Sequence, residues 1–482
     1  FFLRVELKMG NIPRFVLVIV LFSVCSFAEE LGKNKLSIAA YSVPAHGHFS
    51  PMLTLIKALK EEGHHITFLS SEYIESKVSG KVDAFYSTGI KSEEELITEA
   101  LGEYKEGIEL FDLPIVLKEK ERESLSYLIP LFKDLEKQGK LPDIILVDFM
   151  SFAGFDIADL FDIPCIVTIP GNFGPGMYTP SWYPSSENGL NLSKRIMGML
   201  MSPMQSVMLY VFYRNSNEVR SEFNIPPWDK FDTSMFTGKI TFQFAFPPLL
   251  EPGITLAGTY HHLGLPFIPK EDTSLTGDLD NWVKSHKDKK TIYISFGTMV
   301  NPTDEFLEFL LHQIRICKDY NFIWSLKHNL IRNNFELFED ANKEEHILIL
   351  NWVDQISLLD HVDLFITHGG YNSITESVYH AVPMICIPFQ MEQMMNCQRI
   401  QQLDIGISLD FASREELHPI LKKILSNENS TRNAQMLSEY SKVYSQHGLK
   451  SSVEIVELIH QYGEHHLLPL DYKYPFYARF NW

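Results

Sequence analysis

Positive charge is the first thing in short supply: 42 Lys and Arg stand against 61 Asp and Glu, for a formal charge of −19, and no Lys/Arg-rich stripe interrupts the acidity. That argues against a nucleic-acid partner, because binding a phosphate backbone needs a basic footprint. Cysteine is scarce too, five in 482 residues. Cys165, Cys317, Cys386 and Cys397 show no metal-ligand spacing, and the paired histidines at 64/65, 261/262 and 465/466 lack thiol or carboxylate companions. No metal site is expected. Cys165 and Cys386 fall in apolar, strand-like runs and read as buried thiols rather than members of a disulfide framework. A repeat of fixed period is missing. So is a Gly-x-Gly-x-x-Gly after the first strand of either half, which argues against a nucleotide-dependent oxidoreductase. No apolar run of the length a membrane-crossing helix needs follows Asp410.

What is present is ordinary globular composition, 45% hydrophobic and 21% charged, in a chain long enough for two large domains. Met9 opens a stretch with Arg14, an apolar run over Phe15–Phe22 and the small-residue pattern Ser26-Phe27-Ala28. These are the three regions of a secretory signal peptide, and cleavage after Ala28 is expected. Secretory entry, with the endoplasmic reticulum lumen or membrane as destination, would give meaning to the glycosylation sequons at Asn191 and Asn429.

From Leu36 onward, short apolar runs alternate with helical patterns, as in parallel βαβ units. Ser37–Ser42 reads as the first strand, with a loop Pro44-Ala45-His46-Gly47-His48 and a helix from Pro51. A polar, turn-rich stretch at 269–277 reads as a linker, and the same units recur beyond it. The expected fold is α/β: two facing, Rossmann-like, doubly wound parallel-sheet domains with a cleft between them. The expected boundaries are a leader over 1–28, a first domain over 29–268, a second over 278–450, and a C-terminal helix with aromatic tail over 451–482.

In such sheets ligands bind beyond the carboxyl ends of the strands. After the apolar Leu364–Thr367 comes His368-Gly369-Gly370-Tyr371-Asn372-Ser373. The glycines let backbone approach a ligand closely, and Asn372 or Ser373 caps the next helix, making an anion site suited to a phosphate. Glu376 lies one turn further, where a carboxylate can accept hydrogen bonds from vicinal hydroxyls such as those of a ribose.

The span from Trp352-Val353-Asp354-Gln355 through Phe365-Ile366-Thr367-His368-Gly369-Gly370-Tyr371-Asn372-Ser373-Ile374-Thr375-Glu376 to Val382-Pro383 and Pro388-Phe389-Gln390-Met391-Glu392-Gln393-Met394-Met395-Asn396 resembles the signature of the UDP-glycosyltransferases. The resemblance extends over most of the mature chain. It implies the two-domain GT-B architecture, with the donor UDP-sugar in the C-terminal half and the acceptor in the N-terminal half. It also implies that Trp352 stacks on uracil and Gln355 contacts the nucleoside. His368, Gly370, Asn372 and Ser373 would bind the diphosphate, with Gly297 and Thr298 lining it; Glu376 would hold the ribose, and Glu392 and Gln393 would read the sugar. The family usually has Asp where this chain has Glu392, a departure that bears on sugar identity. Gln393 points to a glucose-configured sugar, glucose or glucuronic acid. No cofactor and no metal are implied beyond the donor itself.

His48 follows the first strand and Asp148 ends the strand Ile144–Val147, so both should meet at one sheet edge as a general base and its orienting carboxylate. A loop His also reads as a surface group, a strand-end Asp as a helix cap, and His46 as a rival base; the family pattern selects His48. The reaction implied is inverting hexosyl transfer. A Met- and aromatic-rich stretch from Met177 to Tyr213 reads as an adaptable surface for a lipophilic small-molecule or lipid acceptor, or for a membrane, with helical core as the alternative. The closing residues Tyr472, Tyr474, Phe476, Tyr477, Phe480 and Trp482, with Lys473 and Arg479, suggest a chain that stops just before a membrane anchor. Two other readings stay open: a non-catalytic UDP-sugar-binding relative, and a glycosyltransferase acting on a lipid-linked intermediate.

Overall fold

Thirteen strands form two parallel sheets in a computed structural model that describes residues 35–89, 113–171, 210–228, 239–249, 260–265, 273–297, 300, 302–331, 334–389, 391–410 and 416–468. Contacts divide the chain into residues 1–36 and 37–482, and the account below concerns the second unit. The expected leader, the linker up to residue 272, Asn191, residues 177–209 and the aromatic tail lie outside the described residues.

The first sheet contains β1 (Ser37–Tyr41), β2 (His65–Ser70), β3 (Ala84–Ser87), β4 (Ile144–Asp148), β5 (Cys165–Pro170), β6 (Ile240–Phe244) and β7 (Tyr260–His262) in the order β3-β2-β1-β4-β5-β6-β7. The second contains β8 (Thr291–Ser295), β9 (Asn321–Ser325), β10 (Ile347–Leu350), β11 (Leu364–Thr367), β12 (Met384–Cys386) and β13 (Gly406–Ser408) in the order β10-β9-β8-β11-β12-β13. Every pairing is parallel. The central strands β4, β8 and β11 are buried along their whole length, as sheets covered on both faces require; this is why they read as continuous apolar runs rather than alternating ones.

Both sheets reverse direction of growth at one place, between β1 and β4 in the first and between β8 and β11 in the second. At such a switch point the connections leave to opposite faces and open a crevice at the carboxyl edge. The register sets Tyr41 beside Val147 and Ser295 beside Thr367. Residues immediately after these strands therefore face the crevices.

Helices cover the sheets: α1 (His46–Glu61), α2 (Leu113–Lys137), α3 (Phe152–Phe161), α4 over residues 210–222, α5 (Gln355–Leu359), α6 (Tyr371–Tyr379), α7 (Met391–Gln402) and α8 (Glu428–Tyr462), among others. One core packs Leu125, Leu128 and Phe132 of α2 with Phe155 of α3 and Val219 of α4 against β4 and β5. Another packs Ile374 and Val378 of α6, Ile400 of α7 and Leu437 of α8 against the second sheet, and takes in Phe246 and Leu249 from beyond β6. The two halves thus share apolar packing. The helix α8 runs unbroken across the 450/451 boundary expected from sequence. Among the described residues, no helix is long and apolar enough to cross a membrane.

Three local expectations need correction. The helix after β1 begins at His46, not at Pro51, so His48 stands in its first turn; His48 N–H and Phe49 N–H both bond to the Ala45 carbonyl. Pro51 marked a helix start from sequence because its missing N–H is harmless there, but it sits five residues inside. Second, the cap of α6 is Gly370, without a side-chain cap bond, and Asn372 and Ser373 lie inside the first turn. Third, Cys386 is not a free thiol. It is bonded to Cys397, with Cα atoms 5.4 Å apart, because the β12–α7 connection folds back on itself; Cys165 and Cys317 are free and buried.

Candidate active site

The first switch point holds His48 and Asp148. The sequence distance between them is 100 residues, yet His48 Nδ1 lies 2.9 Å from Asp148 Oδ2 and 3.1 Å from Oδ1. A carboxylate only accepts, so Nδ1 carries the proton and Nε2 is left with the lone pair. Asp148 is fully buried and is fixed by the Met150 N–H at 3.0 Å. The ring of Phe149 lies nearly parallel to the imidazole, 5.6 Å between centroids and 13° between planes. Carboxylate below and aromatic face beside it leave the imidazole one orientation. His46, the rival, is exposed and packs edge-on against Phe49; desolvation, with Lys77 and Lys81 adding to it, holds it below the ordinary histidine range.

The second switch point holds the anion site. His368 follows β11 and is 9% exposed. Its ring is enclosed by two glycines: a Cβ at Gly297 would stand 2.7 Å from His368 Cε1, and one at Gly370 would overlap Nε2. These two close approaches, rather than turn geometry alone, are what the glycines are for. Burial pushes the imidazole down to about 4, so it is neutral in the free protein. Gly370 then delivers the chain into α6, whose first N–H groups lack intrahelical acceptors and aim at the crevice. No side chain caps them.

One turn along, Gln355 at the start of α5 donates from Nε2 to Glu376 Oε2 at 2.6 Å and to Ser373 Oγ at 3.3 Å, while its Oε1 accepts from Tyr293 O–H at 3.3 Å. Burial raises the Glu376 carboxyl to about 7, against the lowering effect of the Gln355 bond. Trp352, just after β10 and three residues before Gln355, is a large apolar side chain 72% exposed. Gln393 is 3% exposed and its Oε1 accepts the Phe389 N–H at 2.9 Å. Thr298 and the side chain of Glu392 lie outside the described residues.

The two crevices face each other. A Cβ on Gly47, next to His48, would be 3.9 Å from Asn372 Nδ2. Tyr371, the first residue of α6, bridges the halves: its hydroxyl accepts the Phe246 N–H at 2.9 Å, and its ring lies against Gly171. Sequence reasoning named His48, Asp148, Gln355, His368, Gly370, Asn372, Ser373 and Glu376, and the structure brings them to the two facing edges. It missed Phe149, Tyr371 and Asn396, whose Nδ2 donates to the Gly369 carbonyl at 2.9 Å. Asn396 and Tyr371 sit in the span that carries the resemblance; Phe149 carries no signal beyond being aromatic beside a site residue. Among the described residues no three His, Cys, Asp or Glu side chains gather as a metal cluster.

Known proteins share this fold and sequence pattern. The chain is 26% identical over 455 residues to UDP-glycosyltransferase UGT4 of Dactylopius coccus, covering 88% of this chain and 84% of that one. It is 26% identical over 445 residues to the 2-hydroxyacylsphingosine 1-beta-galactosyltransferase of Homo sapiens, covering 87% and 79%. Among solved structures, the glycotransferase of kitacinnamycin superposes with a TM-score of 0.66 at 17% identity, covering 90% of this chain and all of that one. The fold is GT-B, two facing Rossmann-like domains. With the family model for UDP-glucoronosyl and UDP-glucosyl transferases matching residues 142–479, the chain belongs to that family of glycosyl-transferring enzymes.

Proposed function

We propose that this enzyme transfers a glucose-configured hexose, glucose or glucuronic acid, from its UDP-sugar to a hydroxyl of a lipophilic acceptor, with inversion and without a metal. The observation that carries the reading is the His48–Asp148 pair at 2.9 Å, set opposite the open N-terminus of α6. His48 Nε2 takes the proton of the acceptor hydroxyl, and that oxygen attacks the anomeric carbon from the face opposite UDP. The carbon–oxygen bond to the β-phosphate breaks, and its electron pair leaves on the diphosphate. Asp148 lies against the positive charge that develops on the imidazole. The charge developing on UDP meets the amides of α6 and the neutral imidazole of His368.

Trp352 would cover uracil, with Gln355 on the nucleoside and Glu376 on the ribose hydroxyls. Gly297, Thr298, Asn372 and Ser373 would surround the diphosphate, with Glu392 and Gln393 toward the sugar. A lipid or lipophilic acceptor is supported by the Met-rich stretch ending at Tyr213 and by the relative whose name specifies 2-hydroxyacylsphingosine. The leader and the Cys386–Cys397 bridge favour an oxidising, secretory compartment, and the endoplasmic reticulum suits a lipophilic acceptor and a membrane-associated enzyme.

The test is mass spectrometry of products after incubation with UDP-glucose, UDP-glucuronate or UDP-N-acetylglucosamine and a mixed lipophilic acceptor set. A product 162 or 176 mass units heavier than its acceptor is expected, in line with about a hexosyl or glucuronosyl addition, falling about 10²- to 10⁴-fold in His48→Ala. Full activity in that variant, or transfer of N-acetylglucosamine alone, overturns the reading.

A further inference from the structure

The floor of the anion site is a disulfide. Gly369 lies between the two anion-site residues His368 and Gly370 and has φ +85°, a conformation that favours glycine. Space demands the same residue: a Cβ there would stand 2.5 Å from Cys397 Sγ and 2.7 Å from Cys386 Sγ. Cys397 Sγ also lies 3.9 Å from the His368 carbonyl oxygen. The neighbouring Asn396, 4% exposed, donates to the Gly369 carbonyl at 2.9 Å, and the Gln393 carbonyl approaches the same glycine from α7. Both cysteines are fully buried. The loop therefore rests on a covalent joint between β12 and α7, and its carbonyl is gripped by the residue next to that joint.

We propose that the Cys386–Cys397 bridge, with Asn396, is a positioning clasp that sets the diphosphate-binding loop. The inference rests on the donor reading above and deepens it. A bonded sulfur pair occupies about 2.05 Å, whereas two non-bonded heavy atoms need roughly 3.5–4 Å. When a dithiol reductant gives two electrons and two protons to the bridge and itself closes to a disulfide, the two thiols must spread. One side is the fully buried strand β12; the yielding parts are Gly369 and α7. Either movement displaces His368 and Gly370 relative to the α6 amides, while Trp352, after the far edge strand β10, and Gln355, held to α6 by Glu376 and to β8 by Tyr293, keep their places. The clasp thus acts on diphosphate recognition and not on nucleoside recognition.

The experiment measures UDP and uridine affinity by calorimetry for the wild type and for Cys386→Ser/Cys397→Ser, alongside thermal unfolding and peptide mapping without reduction. Mapping should find the bridge in the native protein. The double variant should bind UDP about tenfold more weakly and uridine within twofold of the wild type. Equal UDP affinity in a folded double variant, whatever its unfolding temperature, makes the bridge a simple staple and overturns the clasp, as do free thiols in the native protein. If the variant does not fold, the wild type decides: UDP should slow reduction and alkylation of the two cysteines severalfold, and equal rates overturn the proposal. Failure of the wild type to bind UDP at all would instead overturn the donor reading.

Discussion

His48 and His368 both lie beyond a switch-point strand, His48 in the helix after β1 and His368 directly after β11, and the proposed reaction makes opposite use of them. His48 has a buried carboxylate on Nδ1 and an aromatic plane alongside. His368 has two glycines against its ring, a buried Nδ1 without a hydrogen-bond partner among the described residues, and is pushed down to about 4 by burial. In the proposed reaction the same side chain is a proton acceptor where a carboxylate can stabilise its cation, and a neutral donor where none is near. Fold position decides that a histidine faces the crevice; the neighbour decides what it does there.

The contrast can be broken from either side. Asp148→Asn removes the charge but not the shape, and turnover should fall about 10²- to 10⁴-fold while calorimetric UDP affinity stays within twofold. Gly370→Ala drives a methyl into the His368 ring; overpacking of this kind costs about 1–3 kcal/mol, and the expected effect is a rise in KM for the UDP-sugar of about 5- to 150-fold, with the acceptor KM unmoved. A change in acceptor KM instead would show that the two edges are not separate in function.

Glu376 sharpens the comparison through pH. Burial raises it to about 7, so below that pH the free enzyme holds a proton that ribose hydroxyls must displace. Affinity for UDP-glucose, whose diphosphate does not titrate near neutrality, should rise about tenfold from pH 6 to pH 8 and become flat in Glu376→Gln. The stability signs are opposite for the two buried groups. Glu376, raised above its usual 4.5, takes stability away as pH climbs through 7; His368, lowered from 6.5, takes it away as pH falls toward 4. Comparing denaturant midpoints of Glu376→Gln and wild type across pH 5–8 isolates the first. The smallest effect belongs to Tyr371→Phe, which strands the Phe246 N–H. The expected loss is about 1–3 kcal/mol in denaturant unfolding, with His48 chemistry intact at saturating substrate.

The central strands were legible because β1, β4, β8, β9 and β11 are buried on both faces and appear as unbroken apolar runs. The short edge strands β7 and β13, three residues each, carry too little pattern to be seen. Residues after the central strands were legible for the same reason, since strand ends fix where the crevices open. What stayed hidden depends on closeness between distant segments. The separation of 11 between Cys386 and Cys397 says nothing about a connection that doubles back. Nor does a tyrosine beside Asn372 announce that it will meet residue 246. Pro51 misled because a proline tolerated inside a helix looks from sequence like one that begins it.

The last helix has a consequence for how the molecule is made. Ser445 Oγ of α8 accepts the Leu265 N–H at 2.9 Å, 180 residues back in the chain, Gly448 fits against the Leu263 backbone, and the segment bearing Val453, Val456 and Ile459 buries its apolar side as α8 passes α1. A ribosome releases residues 445–459 only after both sheets and all the helices before α8 have emerged. The amino-terminal sheet is therefore complete in sequence long before its cover exists, and it must wait through the synthesis of the entire second half with that flank exposed.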